Sequence, residues 1–243
     1  MMKKILSTIV LILLTGYVVF ATIALTGKPK EQVCQGIRLE IRDSIETGYM
    51  NTSDIVALLE KKGLDPTGQL LDEVSLRTME EALEASPLIR SSECHKTISG
   101  HIAVEVECRR PILHIITDRG ESYYLDEEGE IIDHIAKAVY LPMATGHITR
   151  KFAQQELLAL AQYLQSDELW NAQVEQIHVT QRGDIELTPR VGDHTILLGR
   201  PGNYEHKFDK LRAFYKKGLN EVGWNRYSYI NIDHTDQVVA TKR

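Results

Sequence analysis

LIRSSECHKTISGHIAVEVECRRP, residues 88–111, decides how the first half of the chain folds. Ile102, Val104 and Val106 alternate with Ala103, Glu105 and Glu107, the period of a half-buried strand. Ser99-Gly100 supplies a turn between that strand and residues 88–97, so the stretch reads as a hairpin. Arg109-Arg110-Pro111 then marks a seam, beyond which the pattern changes.

Working outward toward the N-terminus, Leu76, Met79, Ala82 and Leu83 recur at helical spacing, closed by Ser86-Pro87, because a residue before proline disfavours helical backbone. Asp65-Pro66-Thr67-Gly68 is a turn. Ile55, Leu58 and Leu59 form an earlier helical stripe, with cap material at 48–54 and Gly63 placed as terminator. Ile37, Leu39 and Ile41 alternate with Arg38, Glu40 and Arg42. The order is β-α-α-β-β over residues 36–110, with two helices able to cover one face of a small sheet.

Beyond the seam, residues 111–243 are strand-rich. Strands are expected at 112–117, 122–125 and 130–132, the last two flanking the turn Asp126-Glu127-Glu128-Gly129. Leu141-Pro142 begins a loop, and Phe152, Leu157, Leu160, Ala161 and Leu164 trace a helix. Strands follow at 173–180, 185–188 and 195–198. Tyr204, Phe208, Leu211 and Tyr215 step by four, three and four, lining the core face of another helix. Two strands, 227–232 and 237–241, close the chain. The class is α+β, the second half being β-rich with two or more helices.

The N-terminus is different in kind. Residues 1–4 carry Lys3 and Lys4 and no acid, and residues 5–25 are almost unbroken apolar sequence. As a helix those residues would span about 32 Å, against a hydrocarbon core of roughly 30 Å. The expectation is one membrane-spanning helix over 5–26, from Ile5 past Leu25, a short cytoplasmic head over 1–4, a linker over 27–35 and the bulk on the far side. Lys28 and Lys30 weaken the charge asymmetry that orients it. A cleaved signal peptide is the alternative, with Val19-Phe20-Ala21 as its small-residue site; the length of the apolar run favours retention.

The net charge of −6 is mild and interspersed, with no basic stripe to track phosphates, so nucleic acid is not an expected partner. Cys34, Cys94 and Cys108 allow one disulfide and a free thiol, or three free thiols. Cys94, His101 and Cys108 lack the close pairs and fourth ligand of a zinc site, and no metal or other cofactor is expected. No G-x-S-x-G, P-loop, G-x-G-x-x-G or H-E-x-x-H occurs, and the histidines are scattered, several on strands facing water. Asp126, Glu127 and Glu128, like Asp233 and Asp236, read as solvated turn residues rather than a catalytic pair. Arg109 and Arg110 read as a solvated junction. No catalytic residue is assigned, and no motif points to a site.

What remains is a surface. The closing strand, Gln237, Val238, Val239, Ala240 and Thr241, has nothing after it except Lys242-Arg243. At a sheet edge it could accept an extended peptide as a further strand, or its terminal charges could serve only to prevent aggregation.

The sequence resembles the bacterial cell-division family FtsQ/DivIB. The matching pieces are Glu84-Ala85-Ser86-Pro87-Leu88-Ile89, Val104-Glu105-Val106 leading to Arg109-Arg110-Pro111, Tyr124-Leu125-Asp126-x-x-Gly129, Leu141-Pro142 to Gly146, and Ile196-Leu197-Leu198-Gly199. Ile230-Asn231-Ile232-Asp233 stands where the family often has Val-Asp-Leu-Arg. The resemblance implies that the β-α-α-β-β module is POTRA-like. It implies a non-enzymatic protein crossing the cytoplasmic membrane once, at the division site, with its bulk outside the cytoplasm. It implies binding to the membrane-anchored coiled-coil proteins FtsB (DivIC) and FtsL, and to other divisome proteins. It further implies that the partner adds a strand to the last strand, here Gln237, Val238, Val239, Ala240 and Thr241, with His234 at its approach. Val239→Pro is then expected to weaken capture with the fold intact. Two other readings stay open: an exported POTRA-bearing assembly or transport factor that binds client strands, and an exported hydrolase whose site is not visible in sequence.

Overall fold

The computed structural model describes the backbone of residues 2–25, 32–42, 50–135 and 140–243. Helix α1 (Met2–Leu25) is continuous over 24 residues, and its side chains are described at 11–22. Among the described residues no helix is long and apolar enough to cross a membrane. The expected linker over 27–35 is described only from Gln32, and positions 48 and 49 of the expected cap lie outside the described residues.

The first globular unit comprises β1 (Ile37–Ile41), α2 (Thr52–Lys61), α3 (Leu76–Glu84), β2 (Ile89–Lys96) and β3 (Ile102–Cys108). Helix α2 starts at a capping box: the Asn51 side chain accepts from the Asp54 N–H at 2.9 Å, and the Asp54 carboxylate accepts from the Asn51 N–H at 2.8 Å. Gly63, at φ +70°, ends it, and the Leu64 N–H reaches back to the Leu59 carbonyl at 2.9 Å. The sheet order is β1-β3-β2, with β1 parallel and β2 antiparallel to β3. Ile55, Leu59, Met79 and Leu83 bury against Ile89, Ile102, Val104 and Val106. All three cysteines are buried. Cys94 pairs across from Val104 and Cys108 from Ile89, so the two thiols occupy different levels of the hairpin.

The second unit is a nine-stranded mixed sheet in the order β12-β11-β10-β9-β8-β7-β4-β5-β6. Its strands are β4 (Pro111–Thr117), β5 (Ser122–Asp126), β6 (Ile131–Ile132), β7 (Met143–Gly146), β8 (Val174–Val179), β9 (Ile185–Pro189), β10 (Thr195–Gly199), β11 (Tyr227–Asn231) and β12 (Val239–Lys242). Helix α4 (residues 150–166) and α5 (Glu168–Gln173) connect β7 to β8, and α6 (residues 204–222) connects β10 to β11. Both connections join parallel strands, which adjacent tight turns cannot do. Both long helices contain a π turn, at Ala153–Leu157 and Tyr215–Leu219. Phe208, Leu211 and Tyr215 lie in the core as their spacing predicts, beside Trp170, Leu160 and Leu164 and the inward residues of the sheet.

Four expectations are corrected. Residues 143–146, expected as loop, form an internal strand between β4 and β8. Helix α5 was not expected; Asp167 caps it by accepting from the Leu169 and Trp170 N–H groups. Asp126 is 0 % exposed rather than solvated: its Oδ1 accepts from the Glu128 and Glu130 N–H groups, and its Oδ2 from Arg109 at 3.0 Å. Arg109 is therefore part of a paired junction, not a solvated one.

Candidate functional site

The site is built on the outer border of the large sheet. Strand β12 is terminal in the sheet order and pairs antiparallel with β11 through Asn231↔Val239, Ile230↔Ala240 and Tyr229↔Thr241. In an antiparallel ladder each residue turns both its N–H and its C=O to the same side, and the side alternates. Two bonds fix the phase. The Ile232 N–H donates to the Leu197 carbonyl on β10, so Asn231 and Tyr229 face β12. The Arg243 N–H donates to the Arg226 carbonyl, so Thr241 and Val239 face β11. Ala240 and Lys242 consequently direct their backbone groups toward the open side. Among the described residues no strand pairs with that side.

The expected strand thus starts two residues late. Gln237 and Val238 precede β12, and Lys242 belongs to it. Val239→Pro is also reassigned: it removes an N–H that serves the protein's own ladder, so it attacks the fold rather than the open side. The side chains divide by face. Val238 and Ala240 pack against the core, whereas Val239, 44 % exposed, and Thr241 look outward. Tyr229, on the same outer face, donates to Glu186 at 3.0 Å; burial, then that carboxylate, pushes its phenol up to about 12.

The loop before β12 is held from beneath by three basic side chains of α6 that the sequence did not single out. Lys207 is buried and spends all three donors, on the Leu198 and Arg200 carbonyls at 2.8 Å each and on the Asp233 carboxylate at 2.9 Å. Lys210 donates to the carbonyls of Ile232, at 3.0 Å, and His234; burial, then Lys207, lowers its pKa. His206 Nε2 pairs with the Thr235 carbonyl at 2.7 Å. Asp233 fits there because residue 199 is glycine at φ +74°; a Cβ would stand 2.1 Å from the Asp233 carboxyl carbon. His234 itself is exposed, with its carbonyl fixed and its ring 3.5 Å from the Asn231 amide. Lys207 was legible only as a lysine set among the apolar positions of α6.

Elsewhere, groups that could do chemistry are already paired or apart. A cavity of about 290 Å³ is lined by Tyr140, Gln165, Asn171, Arg190 and the single carboxylate Glu175. One of about 300 Å³ contains Asp193, which is bound to Arg243, and His194. His194, in the loop before β10, is 4 % exposed, with Nε2 3.1 Å from the Tyr215 hydroxyl and Nδ1 without a partner among the described residues. Among the described residues no group of three or more His, Cys, Asp or Glu could hold a metal.

The described residues thus form a β-α-α-β-β module joined to a mixed sheet whose terminal strand has no strand beside its outer side. Comparison with protein families agrees. A POTRA-like domain profile matches residues 32–107, and a profile described as FtsQ/DivIB, C-terminal related, matches residues 110–241. The second match alone spans more than half of the chain, and the chain belongs to the FtsQ/DivIB family. That is a family of non-enzymatic cell-division scaffolds, associated with the membrane at the division site and interacting with other divisome proteins. Comparison with curated proteins finds no match.

Proposed function

We propose that this chain is a bitopic scaffold of the division machinery that captures a partner by β-strand addition at β12. The division of labour is a head over 1–4, an anchor over 5–26, a linker over 27–35, the POTRA-like module over 36–110 and the capture domain over 111–243. The anchor reading is supported by the apolar run from Ile5 to Leu25 and by the single helix α1 that contains it. The partner is an extended segment of a membrane-anchored coiled-coil protein of the FtsB (DivIC) type, with FtsL in the same assembly.

One observation carries the proposal: the outward backbone groups of Ala240 and Lys242 have no strand beside them among the described residues. Main-chain pairing there supplies affinity, and the outer-face side chains Val239 and Thr241 set register. His234, Gln237 and Val238 are the approach.

Ala240→Pro tests the reading. Its N–H serves no internal bond among the described residues, so the folded protein should retain its melting temperature while capture of the partner segment falls by about tenfold or more. Capture at wild-type affinity by folded Ala240→Pro would refute strand addition.

A further inference from the structure

The chain joins the three-stranded sheet at one corner, and that corner is tightly wired. Residues 32–35 lie between two loops. The Cys34 N–H donates to the Gln69 carbonyl at 2.8 Å, the Leu71 N–H to the Gln32 carbonyl at 2.9 Å, and Val33 forms a bridge with Leu70. On the other side the Gln35 N–H donates to the Gly100 carbonyl at 2.8 Å, and the Gln32 side-chain amide to the Ile98 carbonyl at 3.1 Å. The tip of the β2–β3 hairpin is therefore docked onto the first described residues after α1.

That tip presents Ile98, 99 % exposed. A lone exposed aliphatic residue is ordinary on a protein surface. Three features set this one apart. The turn is not slack: the Thr97 N–H donates to the His101 carbonyl at 2.8 Å, the His101 N–H to the Thr97 hydroxyl at 3.0 Å, and Gly100 takes φ +83°. Val33, in the docked segment, is a second exposed apolar side chain, at 48 %. Finally, seven residue steps separate Leu25, the end of α1, from Gln32. At about 3.5 Å per step no path between them exceeds about 25 Å, so Gln32, against which the tip docks, stands within that reach of the helix end.

We propose that Ile98 is a lipid contact: the hairpin tip rests in the headgroup region of the bilayer beside α1 and sets the tilt of the POTRA-like module on the membrane. A rigidly presented apolar side chain at the membrane-proximal corner gains by leaving water for the interface. The occupant is the phospholipid surface, and the inference rests on the anchor reading of α1.

The test uses the full chain in phosphatidylcholine–phosphatidylglycerol vesicles. Ile98→Cys carries an environment-sensitive fluorophore, with doxyl-labelled phospholipid as quencher. The native thiols are buried, which confines labelling to the introduced site. Leu13→Cys in α1 reports anchoring, and Arg182→Cys, in the exposed β8–β9 turn, reports the aqueous baseline. The expected result is dimming of about twofold or more at positions 13 and 98 and none at 182. Dimming at 13 with 98 matching 182 overturns the lipid contact and leaves the anchor standing. No dimming at either 13 or 98 overturns both.

Discussion

Asp126, Glu127 and Glu128 are neighbours with the same functional group, and the fold gives them unlike roles. Asp126 is withdrawn from solvent and satisfied by two backbone N–H groups and Arg109. Glu127 and Glu128 remain partly exposed and reach Arg90 at 3.2 and 2.8 Å. The sequence showed the turn, since Asp-x-x-Gly announces one, but not the burial. That comes from Arg109, 17 residues earlier, folding over the carboxylate. Removing one member of such a pair strands the other, so Asp126→Ala should cost about 3 kcal/mol in urea unfolding, and Glu128→Ala much less. His194 offers a second test. Burial lowers its pKa, with smaller opposed effects of Asp193 and Arg243, and a proton on Nδ1 would lodge against Gly192 without an acceptor. With the folded value below the unfolded value of about 6.5, stability is fully present above that pH and is lost as pH falls through the folded value. The melting temperature should therefore drop between about pH 7 and pH 5. His194→Gln should flatten that slope; an unchanged slope would assign it elsewhere.

At the level of elements, the hairpin of the first unit, the two helical stripes and the core face of α6 were legible because each repeats with its own period. Strand β7 was not. Met-Ala-Thr-Gly is too short to show alternation, and its last residue suits the site through what it lacks. Gly146 takes φ +106°, and a Cβ there would come within 2.2 Å of the Val179 carbonyl oxygen. The closing strand begins two residues later than expected, and which of its residues face outward is open in the sequence, because only pairing to β11 and the Arg243 bond fix it. The α6 clamp was invisible for a related reason: Lys207, Lys210 and Asp233 meet only after β10, α6 and β11 pack. Lys207→Met should keep the helix, leave Asp233 and two carbonyls unpaired, and free the loop before β12. Amide exchange at residues 233–237 should rise by about tenfold or more while the β4–β5 amides stay protected. Unchanged exchange in the loop would remove the clamp from the account.

For the molecule as a whole, the junction between the two sheets is ionic. Arg90 of β2 bonds Glu107 at 2.8 Å and reaches Glu127 and Glu128 across the seam, while the Glu127 N–H donates to the Arg110 carbonyl at 3.1 Å. The hydrogen bond from Arg90 holds Glu107 below the usual carboxylate range. Its contribution is therefore present above the unfolded value of about 4.3 and is lost as pH falls through the folded one. Partly exposed pairs of this kind are screened by salt. Spin-label distances between the two sheets should broaden in Arg90→Ala, and in wild type when salt is raised to about 0.5 M, with each core still folded. Distances that stay narrow in both would mean that other contacts fix the orientation.

The central claim concerns one side of one strand, and residue-resolved amide hydrogen exchange reads it directly. In the free protein Ala240 and Lys242 should exchange fast, while Val239 and Thr241, bonded to β11, exchange slowly. Adding the extracytoplasmic segment of the coiled-coil partner should protect Ala240 and Lys242 and leave the other two as they were. Protection of Ala240 and Lys242 already in the free protein, or no gain on binding, would contradict capture by strand addition.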